Sequence, residues 1–119
     1  MPQQMLVAQQ LAEILAVIAH PDRIRIIEEL GRHESDVRSL GEKLNLRQST
    51  LSQHLGLLRT KGIAIPERKG RTVRYHLSNV WLARWLVDGF QLLEMQNHNS
   101  SKVLEAAKAV RRLWRVKER

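Results

Sequence analysis

Apolar residues in the first half of the chain recur at three- and four-residue intervals, the repeat of a helix with one buried face. Leu11, Ile14, Leu15 and Ile18 mark a helix over about 4–19, which His20-Pro21 breaks. Proline suits a first helical turn, so a second helix starts there, with Ile24, Ile27 and Leu30 as its buried stripe and Gly31 as its stop. A polar loop, GRHESD, follows. Val37, Leu40 and Leu44 give a third helix over about 37–44, and Asn45-Leu46 makes a turn. Leu51, Leu55 and Leu58 then form the spine of a fourth helix, which Gly62 ends. That spine leaves Gln48, Ser49, Ser52, Gln53, Gly56 and Arg59 largely on the opposite side.

The period then changes from helical to alternating. Ile63 and Ile65 read as a strand, and Pro66 suggests a sheet edge. Val73, Tyr75 and Leu77 alternate on a return strand, with Arg74 and His76 outward and Lys69-Gly70 at the hairpin tip. A fifth helix is predicted from about Asn79 to Gln96. It is apolar nearly all round, so it must be covered on two sides. A domain this small cannot enclose such a helix alone, and a homodimer with the helix at its seam is the simplest remedy. A last helix, about 101–116, follows the break NHNSS and carries Val103, Ala107, Val110 and Trp114 on one face. The predicted fold is mainly α, in the order αααα-ββ-αα, as a single domain over 1–119 that dimerises through its terminal helices. Leu11, Leu15, Ile18, Trp81, Trp85, Leu86, Leu93, Val110 and Trp114 are the candidate dimer contacts. No internal repeat or long linker divides the chain.

Charge sharpens this picture. The net charge is +8, yet the segment from Arg47 to His76 holds seven bases against one acid, Glu67. Residues 102–119 hold seven bases and two acids, and the remainder carries more acids than bases. The basicity is therefore local to the fourth helix, the hairpin and the last helix. Concentration on a candidate reading helix and a hairpin tip is the electrostatic footprint of a duplex DNA binder. The absence of cysteine removes disulfides, thiolate metal sites and thiol redox sensing. The N-terminus lacks a signal-peptide pattern, and Val80–Met95 is too short and too charged to span a bilayer. A cytoplasmic protein with no membrane partner is expected. No Gly-rich phosphate loop or catalytic constellation stands out, so no enzyme activity is expected.

Three motifs, in order, carry a family resemblance: LAVIAHPDRIRIIEEL at 15–30, QSTLSQHLGLLRTKGI at 48–63 and ERKGRTVRYHL at 67–77. The chain resembles the ArsR/SmtB family of bacterial winged helix-turn-helix repressors over nearly its whole length. The resemblance implies a dimer that binds an imperfect palindrome in a promoter and blocks transcription, and an effector that weakens that binding. Family members usually sense a metal ion through cysteines on the third helix or a His/Asp/Glu cluster on the fifth. Here the third-helix position reads Asp36-Val37-Arg38. Asn79, Trp81, Leu92 and Met95 fall where the fifth-helix ligands would be. None of these four is a usual zinc ligand. No cofactor is expected from the usual sites, and a nickel or zinc site of another kind stays open as an alternative.

Within the fourth helix, Gln48, Ser49, Thr50, Gln53 and His54 are the candidates for base edges or flanking phosphates, joined by Ser52 and Arg59. Glutamine pairs bidentately with adenine, and serine or threonine contacts either base type. Ser49 or Thr50 is equally read as a helix cap. Arg47 suits a phosphate. Arg68, Lys69, Arg71 and Arg74 on the hairpin suit phosphate or minor-groove contact, against the plainer reading of a solvated turn. Tyr75 is expected to pack between wing and core. The histidines, His20, His33, His54, His76 and His98, show no i, i+4 pair on one helix and no clear carboxylate partner; His20 before Pro21 reads as structural. Trp81, Trp85 and Phe90 are read as core or dimer interface before ligand pocket. A DNA-coating protein without sequence preference is the rival reading.

Overall fold

The left-handed turn at Asn45 sets the architecture. In the computed structural model, which describes residues 2–99 and 101–118, helix α3 (Val37–Leu44) ends where Asn45 adopts φ 54° and ψ 48°. Asparagine tolerates this conformation better than other side chains, glycine apart. The Leu46 amide bonds back to the Gly41 carbonyl at 3.0 Å, and after extended Arg47 the chain enters α4 (Gln48–Thr60). A Cβ on Gly41 would lie 3.1 Å from the Leu46 carbonyl oxygen, so the missing side chain lets the turn close over α3. Helix α4 ends as its glycine predicts: Gly62 sits at φ 71°, its amide bonds to Arg59 O, and the Ile63 amide bonds to Leu58 O. That pair of bonds is a Schellman cap.

Helices α1 (Gln3–Ile18) and α2 (Pro21–Arg32) precede this unit. Ile26, Ile27 and Leu30 of α2 meet Leu40 and Leu44 of α3 and Leu51, Leu55 and Leu58 of α4 in one core. Each fully buried aliphatic side chain contributes about 1.5–3 kcal/mol from desolvation. Arg25 locks α2 to α3, donating from Nη2 to the Leu44 carbonyl at 2.6 Å and from Nη1 to Asp22 at 3.1 Å. The sheet closes one side of the core through Ala64 and Leu77, with Ile63 buried just before it. Its strands β1 (Ser35–Asp36), β2 (Ala64–Lys69) and β3 (Thr72–Leu77) run antiparallel in the order β1-β3-β2. Ala64 pairs with Leu77, Lys69 with Thr72, and Ser35 with Tyr75.

The structure departs from the expected order in three places. The GRHESD loop contains β1, which adds a third strand; Asp36 then turns the chain into α3 by accepting from the Ser39 amide at 2.8 Å. Gly31 lies within α2 instead of stopping it. A Cβ there would collide with Ala83 Cβ and come within 2.9 Å of Trp114, so the glycine permits close helix approach. The predicted fifth helix is two: α5 (Val80–Gly89) and α6 (Gln91–Gln96), joined at Phe90. The poor helix propensity of Gly89 favours a break there. The break turns partly buried Phe90 toward the core, while an Arg111–Glu94 pair at 2.6 Å ties α6 to α7 (Ser101–Glu118).

Substituting Gly31→Ala is expected to lower stability by about 1–3 kcal/mol, the usual cost of overpacking. Thermal melting should show it as a fall of several degrees, and an added Ala83→Gly change, which removes the nearest obstacle, should recover part of the loss.

Candidate nucleic-acid interface

The phase of α4 is set by its buried side. Leu51, Leu55 and Leu58 face the core, which leaves Gln48, Ser49, Ser52, Gln53 and Arg59 exposed, with Thr50 half-buried at the edge. No side chain caps the first turn, and Arg47 occupies the cap position with extended backbone. The cap reading of Ser49 or Thr50 therefore does not apply. The leading amides of α4 are left for solvent or for a phosphate, which helix N-termini favour.

Strands β2 and β3 project the wing. Gly70, at φ 66°, makes its tip, and Arg68, Lys69 and Arg71 are exposed around it. These bases are not equivalent. Among the described residues Arg68 and Arg71 have no acidic partner within salt-bridge distance. Lys69 and Arg74 both lie on Glu34, just before β1: the same Oε1 is 2.9 Å from Lys69 Nζ and 3.1 Å from Arg74 Nε. Arg74 also donates from Nη2 to the Glu34 carbonyl at 3.1 Å. The Lys69 hydrogen bond, chiefly, holds the Glu34 carboxyl below its ordinary range, and Glu34 in turn raises the Lys69 ammonium. Tyr75 is half-buried against the core, as its alternation predicts.

His54 does not join the outward row. It is 9% exposed and packs with the leucine spine, its ring centroid 4.5 Å from that of His20. Arg23 donates from Nε to His54 Nδ1 at 3.2 Å and from Nη1 to the Val17 carbonyl at 2.6 Å. One guanidinium thus ties the end of α1 to the middle of α4. His20 caps α2, its Nδ1 accepting from the Asp22 amide at 3.0 Å. His20, Asp22 and His54 bring ligand-type atoms within 4.8 Å of one another, a carboxylate-linked cluster absent from the linear pattern. Its hydrogen bonds do not suit a divalent cation. A neutral imidazole that ligates through Nε2 carries its proton on Nδ1. Here both Nδ1 atoms accept from groups that can only donate, a backbone amide and a guanidinium. The cluster is a structural joint with a cation, Arg23, already seated on it.

The candidate dimer residues divide. Leu11, Leu15, Trp81, Trp85 and Leu93 are exposed, with Trp81 at 63%; Leu86 and Val110 are half-buried. Ile18 and Trp114 are buried inside the subunit, Trp114 against Gly31, so neither is open to a partner chain. Of the four residues at the fifth-helix metal positions that the resemblance implied, Asn79 caps α5 through its side chain, Trp81 stacks on Trp85 with centroids 6.2 Å apart, and Leu92 and Met95 are exposed apolar side chains on α6.

A helix pair joined by a tight turn, a second helix with an outward polar row and a basic hairpin beside it define a winged helix-turn-helix. The chain belongs to the arsR family of bacterial regulatory proteins, whose profile matches residues 20–65. An uncharacterised HTH-type transcriptional regulator of Mycobacterium tuberculosis, Rv0081, is 35% identical over 102 residues, covering 82% of this chain and 87% of its own. The solved structure of Rv0081 superposes with TM-score 0.69 at 31% identity, covering 78% of this chain and 94% of that one. NolR of Sinorhizobium fredii superposes with TM-score 0.68 at 30% identity, covering 77% and 92%. The biofilm growth-associated repressor of Agrobacterium fabrum is 39% identical over 77 residues, 65% of this chain. The match spans 66% of that repressor's length and 56% of the length of the SmtB repressor of M. tuberculosis.

His54 makes a pH dependence testable. Burial, and then the charges of His20 and Arg23, push its imidazole below its ordinary value, with Asp22 opposing. The folded chain therefore takes up this proton less readily than the unfolded chain. The resulting stability is complete above about pH 6.5 and is lost as pH falls from there through the folded-state value. Urea unfolding at pH 7 and pH 5 checks it: the loss on acidification should be smaller in His54→Gln than in the wild type.

Proposed function

We propose that this chain is a DNA-binding transcriptional repressor that acts in the cytoplasm as a homodimer on a palindromic promoter site. The observation that carries the reading is the phase of α4: the core takes its leucines, and the polar row Gln48, Ser49, Ser52 and Gln53 faces away from the body. In this reading α4 enters the major groove with Gln53 and Gln48 at base edges. Arg47, Arg59 and the wing bases Arg68 and Arg71 meet phosphates, which position the protein without reading sequence. Family membership and the names of the relatives, several of them repressors, support repression. His54 serves the reading indirectly, by holding α4 to α1.

The dimer is inferred from surface that a single copy leaves bare. Met5, Leu6, Leu11, Ile14 and Leu15 of α1 are exposed, as are Trp81 and Trp85 of α5 and Leu92 and Met95 of α6. Apolar exposure on this scale marks an interaction surface. A second copy of the chain would cover like with like and carry a second α4 to the next half-site, about one helical turn away. Among the described residues no helix is long and apolar enough to cross a membrane, so a bilayer-spanning role for these faces is not indicated.

Fluorescence anisotropy on an operator duplex and on random DNA tests the function. Wild type should hold its operator at least about a thousandfold better than random sequence. Gln53→Ala should cost about 1–3 kcal/mol on the operator and little on random DNA. Arg68→Ala with Arg71→Ala should weaken both, and flatten the salt dependence by about one unit of slope per phosphate lost. Equal affinity for both duplexes in the wild type would favour the DNA-coating alternative. Separately, Leu11→Glu with Leu15→Glu should convert a dimer to a monomer in sedimentation equilibrium at micromolar concentration; a wild type that sediments as a monomer refutes the dimer.

A further inference from the structure

Resting on the DNA-binding reading above, we propose that Glu34 is an internal competitor for the phosphate backbone: it occupies half of the wing's cationic set in the free protein and so sets the threshold for binding. The wing offers Arg68, Lys69, Arg71 and Arg74, and a single carboxylate oxygen engages two of them, at 2.9 Å and 3.1 Å. Strand β1 builds this arrangement. Its pairing of Ser35 with Tyr75 and Asp36 with Arg74 lays the preceding residue, Glu34, beside the wing's third-strand edge. The Glu34 backbone carbonyl adds a second hold on Arg74. A carboxylate presents to a guanidinium much the same oxygen geometry as a phosphate.

All three side chains are substantially exposed, at 40% for Glu34, 46% for Lys69 and 36% for Arg74. An exposed pair of this kind is weak and exchangeable. The duplex, with its dense line of phosphates, can therefore take Lys69 and Arg74 over. Glu34 is then left without its partners beside an anionic backbone and gathers a cation from solution. That uptake offsets part of the counterion release that drives binding. Glu34 therefore lowers affinity for any duplex, and it lowers the salt dependence as well.

Glu34→Gln keeps the size and the hydrogen-bonding capacity of the side chain and removes its charge. On a duplex it should tighten binding by up to roughly fivefold, the range open to one exposed ion pair. The plot of log affinity against log salt should steepen by up to about one unit. In a background of Lys69→Gln with Arg74→Gln the same change should have little effect, because the coupling runs through those two bases. Unchanged or weaker duplex binding by Glu34→Gln, with circular dichroism and melting like wild type, overturns the proposal. So does an equal gain in the double-substituted background, which would assign the effect to general charge. Elution from immobilised heparin keeps the two readings separable. If the wild type holds no duplex, the proposed function falls, and the salt needed to elute Glu34→Gln still decides: a rise over wild type that disappears in the Lys69→Gln with Arg74→Gln background supports an occupied wing, and no rise, or an equal rise in that background, refutes it.

Discussion

The candidate DNA interface of this molecule depends on three leucines that it never exposes. Leu51, Leu55 and Leu58 lie on one side of α4 and are fully buried against α2 and α3. Burying that stripe fixes the rotation of the helix about its own axis. Once the rotation is fixed, the direction of every polar side chain on the opposite side is fixed with it. The turn at Asn45 sets where the helix starts, and the cap at Gly62 sets where it stops and hands the chain to the wing. A polar row on a helix that could roll would read nothing. In the proposed reading, function is a by-product of how firmly the apolar side is held.

A second layer of polar contacts refines what the leucines fix. Arg23 reaches the Val17 carbonyl with one nitrogen and His54 with another, and Arg25 reaches the carbonyl that ends α3. Both are forked contacts that a lysine could not reproduce, since it presents a point charge on a flexible stem. Because α1 is a candidate dimer helix and α4 the candidate reading helix, the Arg23 contact joins the two parts whose spacing a twofold-symmetric operator would demand.

Most of the architecture was legible in the chain because it is local. Helical periodicity, a proline at a first turn, glycines at a cap and a hairpin tip, and alternation across the wing all act over a few residues. What stayed hidden acts over longer range or smaller size. Strand β1 is two residues long and exists only because β3 is there to pair with it. The Glu34 contacts span 35 and 40 residues, so the wing bases read as four equivalent charges when two are already engaged. Gly31 reads as a stop signal until Ala83 and Trp114 arrive beside it from much later in the chain. His54 is a different case. It stands three residues after Leu51 and four before Leu58, on the apolar side, and its spacing pointed inward; its polar chemistry suggested the opposite face. The single long helix expected over 79–96 failed for a related reason: uninterrupted apolar character concealed the weak point at Gly89.

Trp114 gives this small fold an order of assembly. The indole that lies over Gly31 comes from the last helix, so α2 and α5 meet at a place that stays uncovered until that late segment is made. On a ribosome, where synthesis runs from the N-terminus, the candidate reading helix and its hairpin are made before this cover. The newborn chain would therefore hold α4 and the hairpin while the seam between α2 and α5 still lacks its indole cover.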